Sequence, residues 1–475
     1  MGQLALSPFL IGSQWVTPRE KNARELVDPS TARAHARVGI ADRAEVDRAV
    51  AAASDALAGW RTVPVDARRA LIDAFADGIE RHCDELVEIE VRQAGKLTRE
   101  VQREIPGLVT QIRSFGALAE TFEWHVRDEG RGVQYAWEPI GVVASLLPWN
   151  APLNAAARRI AVTIATATTT VIKPSMLGPI SPLRLAGIAL EAGVPPGVIN
   201  VVNGPGEQTG RALLAHPGVA KGSFTGSVET GRDILRRATG RLLPVAAELG
   251  GKAPQIVFAD APWEGAQAGV LRGFTRNAGQ ICTSGTRLLV HASIADRFVD
   301  ELVTRAAAMR VGPAPDPSSD MGPQISAAHR ASIDGFVQRA RGAGRTVATG
   351  GHGVTGDGFF YRPTVVTGVE AADEIFQEEV FGPVLAVTRF ESVDEAIRLA
   401  NGTAYAFVAG IWTSDPELGL RVARGVEAGA CWINSYWANR PDLSNVPRRS
   451  SGAGASDFGI EGLREYLTPK QVAVA

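Results

Sequence analysis

One thiol and one carboxylate stand out among the residues that could do chemistry. Cys282 follows Glu248 by thirty-four residues, and glycines flank both, in G-Q-I-C and E-L-G-G. A free cysteine is most often a small buried apolar residue, and a lone glutamate is usually a surface charge. Here the thiol sits in a polar turn whose N–H groups could stabilise a thiolate or an oxyanion. The glutamate follows an apolar run, and burial would suit it to act as a base.

An amide is the third candidate. Pro148, Trp149 and Asn150 directly follow the apolar run V-A-S-L-L. Ligands of α/β sheets bind at the carboxyl ends of strands. Asn150 could donate to the oxyanion that forms when a thiol attacks a carbonyl, although alone it fits a turn residue equally well. Together the thiol, base and amide indicate covalent carbonyl chemistry.

Two glycine-containing loops could bind phosphate. In G-S-F-T-G-S, residues 222–227, a strand leads into a helix whose free N–H groups would face an anion. The spacing is not G-x-G-x-x-G, and the loop lacks the lysine of a P-loop. The second loop, residues 203–210, departs from the same pattern by one residue. Each loop alone is a weak nucleotide signal.

Three further residues could hold a dinucleotide. Lys173 follows a predicted strand and could bind a ribose hydroxyl or a phosphate, or else lie exposed in a turn. Glu379 and Phe381 lie two residues apart on one strand face and could hold a ribose and a flat ring. The alternative is a core phenylalanine beside a surface glutamate. The seven histidines are scattered, so we predict no metal site.

The composition limits the class of protein. With 475 residues, two or three domains are expected. A net charge of −2 predicts neither nucleic acid nor a membrane surface as a partner. Three dispersed cysteines favour a reducing cytoplasm over a disulfide framework. The most apolar segment, residues 139–173, is interrupted by prolines and arginines, and the N-terminus does not resemble a signal peptide.

The pattern along the chain predicts α/β architecture. Residues 42–125 are expected to be helical, with Asp42 as an N-cap. From residue 140 strands alternate with helices, which favours a mostly parallel sheet covered on both faces. The pattern restarts after Gly250 and Gly251, predicting a second α/β unit that contains a surface loop at 311–317. Segments 127–138 and 464–475 fit neither unit and could be strands that pair with each other or with another subunit. The predicted strands are Val142–Leu147, Thr169–Ile172, Val198–Val202 and Gly222–Phe224, then 255–258, 286–291, 345–349 and 384–389; helices are expected at 153–166, 181–193, 207–215 and 229–238.

Six motifs, in this order and spacing, resemble the aldehyde dehydrogenase superfamily from about residue 9 to 470. They are P-W-N (148–150), K-P-S (173–175), F-T-G-S (224–227), E-L-G-G-K (248–252), G-Q-I-C (279–282) and E-E-V-F-G-P-V (378–384). The resemblance implies two Rossmann-like α/β domains and a small β-flap for oligomerisation. The implied ranges are 1–125 with 140–249 for the cofactor domain, 250–450 for the catalytic domain, and 126–139 with 451–475 for the oligomerisation segment.

The resemblance also implies roles for residues. Cys282 would be the nucleophile, Glu248 the general base and Asn150 the oxyanion donor. An aldehyde would be oxidised by NAD or NADP to the acid through a thiohemiacetal and a thioester. The implied assembly is a homodimer or homotetramer. The implied cofactor residues are Pro148, Trp149, Lys173, Ser175, Met176, Gly206, Phe224, Thr225, Gly226, Ser227, Thr230, Leu249, Glu379 and Phe381.

Departures from the family pattern concern the cofactor and the substrate. Met176 replaces a glutamate that would bind ribose hydroxyls, which predicts use of NADP beside NAD. Positions usually aromatic are small or polar, which predicts a polar or bulky aldehyde whose groups pair with amides and guanidiniums. Alternatively, Arg158 and Arg440 face solvent or pair with acids such as Asp442. The substrate positions are Ala151, Asn154, Arg158, Thr283, Trp437, Asn439, Arg440 and Asn445.

Two other functions compete with this interpretation. A coenzyme A-acylating relative would pass the thioester to the thiol of coenzyme A, but such members lack the glutamate base. A catalytically degenerate relative with a binding role is the second alternative, because the C-terminal motif at 444–456 departs strongly from the family pattern. The sequence does not name the aldehyde.

Overall fold

The N-terminal part of the chain is mostly helical, as predicted. A computed structural model describes residues 6–19, 22–128, 133–438, 440, 443, 446–454 and 458–473. Asp42 caps the first helix, because its side chain accepts from Glu45 N while the Glu45 carboxylate accepts from Asp42 N. The elements are β1 (Leu6–Ser7), β2 (Phe9–Ile11), β3 (Gln14–Val16), β4 (Ala23–Asp28), β5 (Arg33–Gly39), α1 (Arg43–Trp60), α2 (Val65–Arg81), α3 (Cys83–Ala94) and α4 (Thr98–Thr121).

An eight-stranded sheet forms the first α/β unit, in the order β22-β12-β11-β8-β9-β10-β2-β3. The five strands from β12 to β10 in this order are parallel. Strands β8 and β9 are buried along their whole length, which fits a sheet covered on both faces. The elements of this part of the chain are β6 (His125–Asp128), β7 (Val133–Pro139), β8 (Val142–Leu146), α5 (Pro152–Thr166), β9 (Thr169–Lys173), α6 (Ile180–Glu191), β10 (Ile199–Val201), α7 (Arg211–Ala215), β11 (Val219–Thr225), α8 (Val228–Ala238) and β12 (Val245–Glu248). Strands β6 and β7 belong to a separate three-stranded sheet.

A seven-stranded sheet forms the second unit, in the order β15-β16-β17-β14-β13-β19-β20. The four strands predicted here are present, but β16, β19 and β20 were missed. The elements from here onward along the chain are β13 (Pro254–Val257), α9 (Trp263–Thr275), β14 (Arg287–His291), α10 (Ala295–Ala308), α11 (Ala327–Gly342), β15 (Thr346–Thr349), β16 (Thr364–Thr367), α12 (Glu374–Gln377), β17 (Val384–Phe390), α13 (Val393–Ala400), β18 (Tyr405–Ala406), β19 (Val408–Trp412), α14 (Pro416–Gly425), β20 (Ala430–Ile433), β21 (Arg448–Arg449), β22 (Gly452–Ala453), α15 (Gly459–Arg464) and β23 (Leu467–Ala473). Of these, β22 belongs to the first sheet, β23 pairs with β7, and β18 pairs with β21.

The two segments that fit neither unit pair with each other. Strand β23 runs antiparallel to β7 over seven residue pairs, and β6 lies on the other side of β7. The structure differs from the predicted range 451–475 at its start, because β22 joins the first sheet beside β12. This short strand lies on the strand that carries Glu248, so it belongs to the first unit by its hydrogen bonds. The other domain boundaries stay predictions.

No helix in the described part of the chain is both long and apolar enough to cross a membrane. Within the same residues, no three His, Cys, Asp or Glu side chains are grouped to hold a metal ion.

Candidate active site

The carboxyl ends of four parallel strands bring the predicted motifs to one edge of the first sheet. Strand β12 ends at Glu248, β11 at Thr225 and β9 at Lys173, while Pro148–Asn150 follow β8. These strands are neighbours in the order β12-β11-β8-β9. The sheet topology therefore juxtaposes groups that are up to a hundred residues apart in the chain.

Cys282 reaches this edge from the second unit, in the loop between α9 and β14. The contact depends on glycine, because a Cβ on Gly251 would lie 2.2 Å from the carbonyl oxygen of Cys282. A side chain at that position would force the backbone of the cysteine loop to shift. The glycines after Glu248 thus let the end of β12, which carries the base, approach the loop that carries the nucleophile.

The cysteine loop has an unusual backbone. Asn277, Ala278 and Gly279 have φ values of 48°, 52° and 75°, and only the glycine adopts such values without strain. Hydrogen bonds hold the turn, because Asn277 Nδ2 donates to Asn150 O and Gln324 Nε2 donates to Ala278 O. The strained backbone fixes the direction in which the chain enters Cys282.

Asn150 lies beside this loop. Its Nδ2 donates to Gln280 O at 2.8 Å, and the residue lines the same cleft as Cys282. An amide nitrogen has two N–H groups, so the bond to Gln280 leaves a second one for another acceptor. Its location suits the predicted oxyanion donor.

The Cys282 thiol is held in its neutral form. Burial raises its pKa to about 12, and the negative charges of Glu248 and Glu379 act in the same direction, while Arg158 opposes them. A thiolate is the nucleophilic form, so this thiol must lose its proton before it attacks. Glu248 is only 6% exposed and close enough to influence the thiol.

A cleft of about 1000 Å³ extends from Cys282 along the strand ends. Thirteen of the fourteen predicted cofactor residues line it: Pro148, Trp149, Lys173, Ser175, Gly206, Phe224, Thr225, Gly226, Ser227, Thr230, Leu249, Glu379 and Phe381. Met176 is not among its lining residues and packs against Leu26, Ala36 and Val38. Its contact with the cofactor stays a prediction; the thioether belongs to this small apolar cluster, while the neighbouring Ser175 lines the cleft.

Two ionisable groups in the cleft have shifted pKa values. Burial lowers the pKa of Lys173 to about 8, and its Nζ donates to Gly204 O, so it is not the exposed turn lysine of the alternative interpretation. Burial raises the pKa of Glu379 to about 7, although Gly251 N donates to its carboxylate and Lys252 lies nearby. Glu379 is likewise no surface glutamate.

The loop at 222–227 opens a helix as predicted. Ser227 caps α8, and its hydroxyl accepts from Thr230 N. The N-terminus of α8 therefore faces the cleft with N–H groups suited to an anion. The cleft is also lined by charged residues that the sequence did not single out: Glu207, Arg211, Asp233, Arg237 and Arg241. The spacing of Asp233 and Arg237, four residues apart on α8, was the signal in the sequence that could have indicated them.

The described substrate positions are not among the residues that line this cleft. Asn154 Nδ2 is 3.5 Å from Glu104 Oε2, and the Arg158 guanidinium carbon is 4.7 Å from the Phe458 ring centre. Trp437 Nε1 donates to Thr283 Oγ1 at 2.9 Å. Ala151 precedes the first residue of α5, and Arg440 is exposed. Asn439, Asn445 and Asp442 lie outside the described residues.

Comparison with known proteins decides the family. The model of the "Aldehyde dehydrogenase family" matches residues 15–472. The chain belongs to the aldehyde dehydrogenase family. This aldehyde dehydrogenase is 35% identical to the betaine aldehyde dehydrogenase of Bacillus subtilis (strain 168), with 98% of this chain and 96% of the relative covered. It is 37% identical to an aldehyde dehydrogenase of Aspergillus niger, with 98% and 94% covered.

Solved structures agree with the sequence comparison. The betaine aldehyde dehydrogenase of Staphylococcus aureus, solved in complex with NAD+, matches with a TM-score of 0.95 and 33% identity over 98% of this chain and 94% of that one. The predicted family, α/β fold class and oxidoreductase activity of this aldehyde dehydrogenase are confirmed.

Proposed function

We propose that this aldehyde dehydrogenase oxidises an aldehyde to the free acid with NAD+ or NADP+, using Cys282, Glu248 and Asn150. One observation carries the proposal: the half-buried Cys282 thiol lies at the cleft, in a loop of the second unit, and the buried Glu248 carboxylate at the end of β12 is close enough to raise its pKa. Chemistry that needs both a nucleophile and a separate base fits this arrangement.

The dinucleotide fits the cleft by its donors and acceptors. The α8 N-terminus and Ser227 suit the pyrophosphate, and the buried side chain of Lys173 and the half-buried side chain of Glu379 suit ribose hydroxyls. The NAD+ complex of the Staphylococcus aureus relative supports NAD+ as the cofactor. When bound, it supplies the acceptor for the hydride.

The protein's own groups then act in two stages. Cys282 loses its proton and adds to the aldehyde carbon, and Asn150 together with a backbone N–H donates to the oxyanion. Loss of hydride from this adduct leaves a thioester on Cys282. Glu248 takes a proton from water, which attacks the thioester and releases the acid and the thiol.

Mutation of the thiol tests the nucleophile. We expect Cys282→Ala to abolish aldehyde oxidation, followed by absorbance at 340 nm, while cofactor binding persists. Cys431→Ala is the matched control, since Cys431 is also free but lies on β20, away from the cleft. Activity of Cys282→Ala above a few per cent of wild type would reject the assignment.

The acylating alternative is tested with the same assay. Glu248 favours hydrolysis because an acylating enzyme has no need of a base that activates water. We expect coenzyme A to leave the steady rate unchanged and no acyl-coenzyme A to form. Formation of the coenzyme A ester would overturn the proposal, and lack of oxidation with every aldehyde would favour the degenerate relative.

The proposal includes NADP as a second cofactor. The position after K-P-S contributes no carboxylate to the cleft, while Lys173, Ser175 and Arg211 line it. A carboxylate there would repel a 2′-phosphate, and its absence removes that penalty. We expect measurable kcat/KM with NADP. A preference for NAD of about 1000-fold, roughly 4 kcal/mol, would contradict it.

The proposed substrate is a polar or bulky aldehyde. Asn154 and Arg158 replace apolar walls on α5, and Arg158 lies close enough to Cys282 to affect its pKa. The test is kcat/KM across aldehydes of equal length with and without a polar or anionic tail, in wild type and Arg158→Ala. If hexanal and benzaldehyde outperform every polar aldehyde and Arg158→Ala changes nothing, the idea is wrong.

Assembly and location complete the proposal. The antiparallel pair of β7 and β23 supports the small flap that the family uses for a homodimer or homotetramer. Three free cysteines support a reducing cytoplasm.

A further inference from the structure

A buried carboxylate on α4 contacts three groups around the cysteine loop. The Glu104 side chain is 12% exposed and pairs with Lys96 Nζ, which is 4% exposed. Its Oε1 accepts from Arg276 Nη2 at 2.9 Å, and Asn154 Nδ2 lies 3.5 Å from its Oε2. A buried ion pair costs desolvation energy and is weak evidence for stability alone. Its location at the active site calls for another role.

Arg276 connects this carboxylate to the residues around the nucleophile. It lies six residues before Cys282, at the start of the strained turn, and its guanidinium carbon is 5.0 Å from the ring centre of Trp437. Trp437 Nε1 in turn donates to Thr283 Oγ1, next to Cys282. Contacts therefore run from Glu104 through Arg276 and Trp437 to both flanks of the nucleophile.

The charge state suits this arrangement. Burial alone would raise the pKa of Glu104, but the charges of Lys96 and Arg276 bring it below its ordinary value. One turn earlier on α4, Glu100 Oε1 lies 3.5 Å from Asn277 N, at the first strained residue. Strained backbone persists only where surrounding contacts stabilise it, and α4 supplies some of these contacts.

We propose that Glu104 is a positioning residue, which keeps the Cys282 loop in its reactive conformation through Arg276 and Trp437. The inference rests on the proposed role of Cys282 as nucleophile. Glu104 touches neither thiol nor cleft, so it acts through the loop. Removing its charge leaves Arg276 without its partner and frees the turn.

The test measures thiol placement directly. We expect Glu104→Gln to slow alkylation of Cys282 by iodoacetamide, followed by peptide mass spectrometry, on the order of tenfold, and to lower the burst of reduced cofactor similarly. KM for the cofactor should stay within about twofold. Glu120→Gln is the control: it removes a carboxylate on the same helix that pairs with Arg69 at 2.9 Å, away from the loop.

A second variant decides the matter if Glu104→Gln fails to fold. Trp437→Phe keeps a ring and removes the N–H to Thr283, and it should slow alkylation about fivefold or more. Where Glu104→Gln folds, the variant that combines it with Trp437→Phe should be no slower than the slower single variant, because both act through one chain of contacts. Alkylation within about twofold of wild type in Trp437→Phe, or effects that multiply in the double variant, would overturn the proposal. If Cys282→Ala stays active, the proposed function itself fails, whatever Glu104 does.

Discussion

At the scale of single residues, the Glu379 carboxyl links cofactor binding to pH. With a pKa of about 7, it is largely protonated at pH 6 and ionised at pH 8.5. The ionised form accepts hydrogen bonds from ribose hydroxyls more strongly than the neutral acid does, and bonds to a charged acceptor are worth about 1.5–3 kcal/mol. We expect Kd for NAD+, measured by fluorescence titration, to fall by about tenfold from pH 6 to pH 7.5.

Glu379→Gln provides the control, since an amide does not titrate in this range. Its Kd should be nearly independent of pH below 7.5. An equal pH dependence in wild type and variant would assign the effect to another group. Above pH 8, loss of charge on Lys173 should weaken NADP binding in both proteins, because its pKa is about 8.

The Cys282 thiol gives a second prediction at this scale. Because its pKa is about 12, the thiolate fraction, and with it the rate of iodoacetamide alkylation, should rise about tenfold per pH unit from pH 6 to 9 without a plateau. Glu248→Gln removes a negative charge that raises this pKa and should speed alkylation on the order of threefold. A plateau below pH 9 would contradict the buried neutral thiol.

The same substitution separates the two chemical stages. We expect Glu248→Gln to keep a burst of reduced cofactor and to lose steady turnover, because an amide cannot take a proton from water. Stopped-flow absorbance at 340 nm resolves the two phases. Equal loss of burst and turnover would assign Glu248 to thiol activation instead.

At the scale of elements, the close approach of the β12 end to the cysteine loop allows a test. Gly251→Ala would place a methyl group 2.2 Å from the Cys282 carbonyl oxygen, so the loop must move. We expect kcat to fall on the order of a hundredfold, since a shift of about 1 Å has such effects, while the circular dichroism spectrum stays native. Gly342→Ala, at a glycine with open space around it, should leave kcat unchanged.

The sequence predicts these elements unevenly, for physical reasons. Strands β8 and β9 are buried apolar runs between helices with amphipathic spacing, so their pattern is clear. Strand β16, T-V-V-T, is as long as the predicted β15, but it follows a glycine-rich stretch at 350–358 and directly follows Pro363, which favour a loop. The thiol, the base and the amide stand out from their local sequence, while the cofactor residues follow from the resemblance to the family. The side-chain direction of Met176 and the contact between Glu104 and Arg276 were not, because both depend on packing between distant segments.

At the scale of the whole molecule, strand β23 ties the C-terminus to β7. Deleting residues 467–475 would leave seven residues of β7 without their hydrogen-bonded partner on that side. We expect the truncated protein to lose its native assembly, measured by size-exclusion chromatography with light scattering, and to form aggregates. Deleting only 474–475 is the control, because it keeps all the described residues of β23, Leu467–Ala473. An unchanged molar mass after the longer deletion would show that assembly does not need this strand.

The base Glu248 lies at the end of β12 in the first sheet, the nucleophile Cys282 lies in the loop before β14 of the second, and Gly251 lets the two segments approach each other. Each sheet can thus remain folded while the two drift apart by a fraction of an ångström. We expect heating to disturb this contact between the two sheets before either sheet unfolds. Activity would then be lost before the protein unfolds. As the temperature rises, turnover should vanish while the circular dichroism spectrum stays native, and cooling should restore turnover. The upper temperature limit of activity would then be set by the contact between the two sheets and not by the stability of either hydrophobic core.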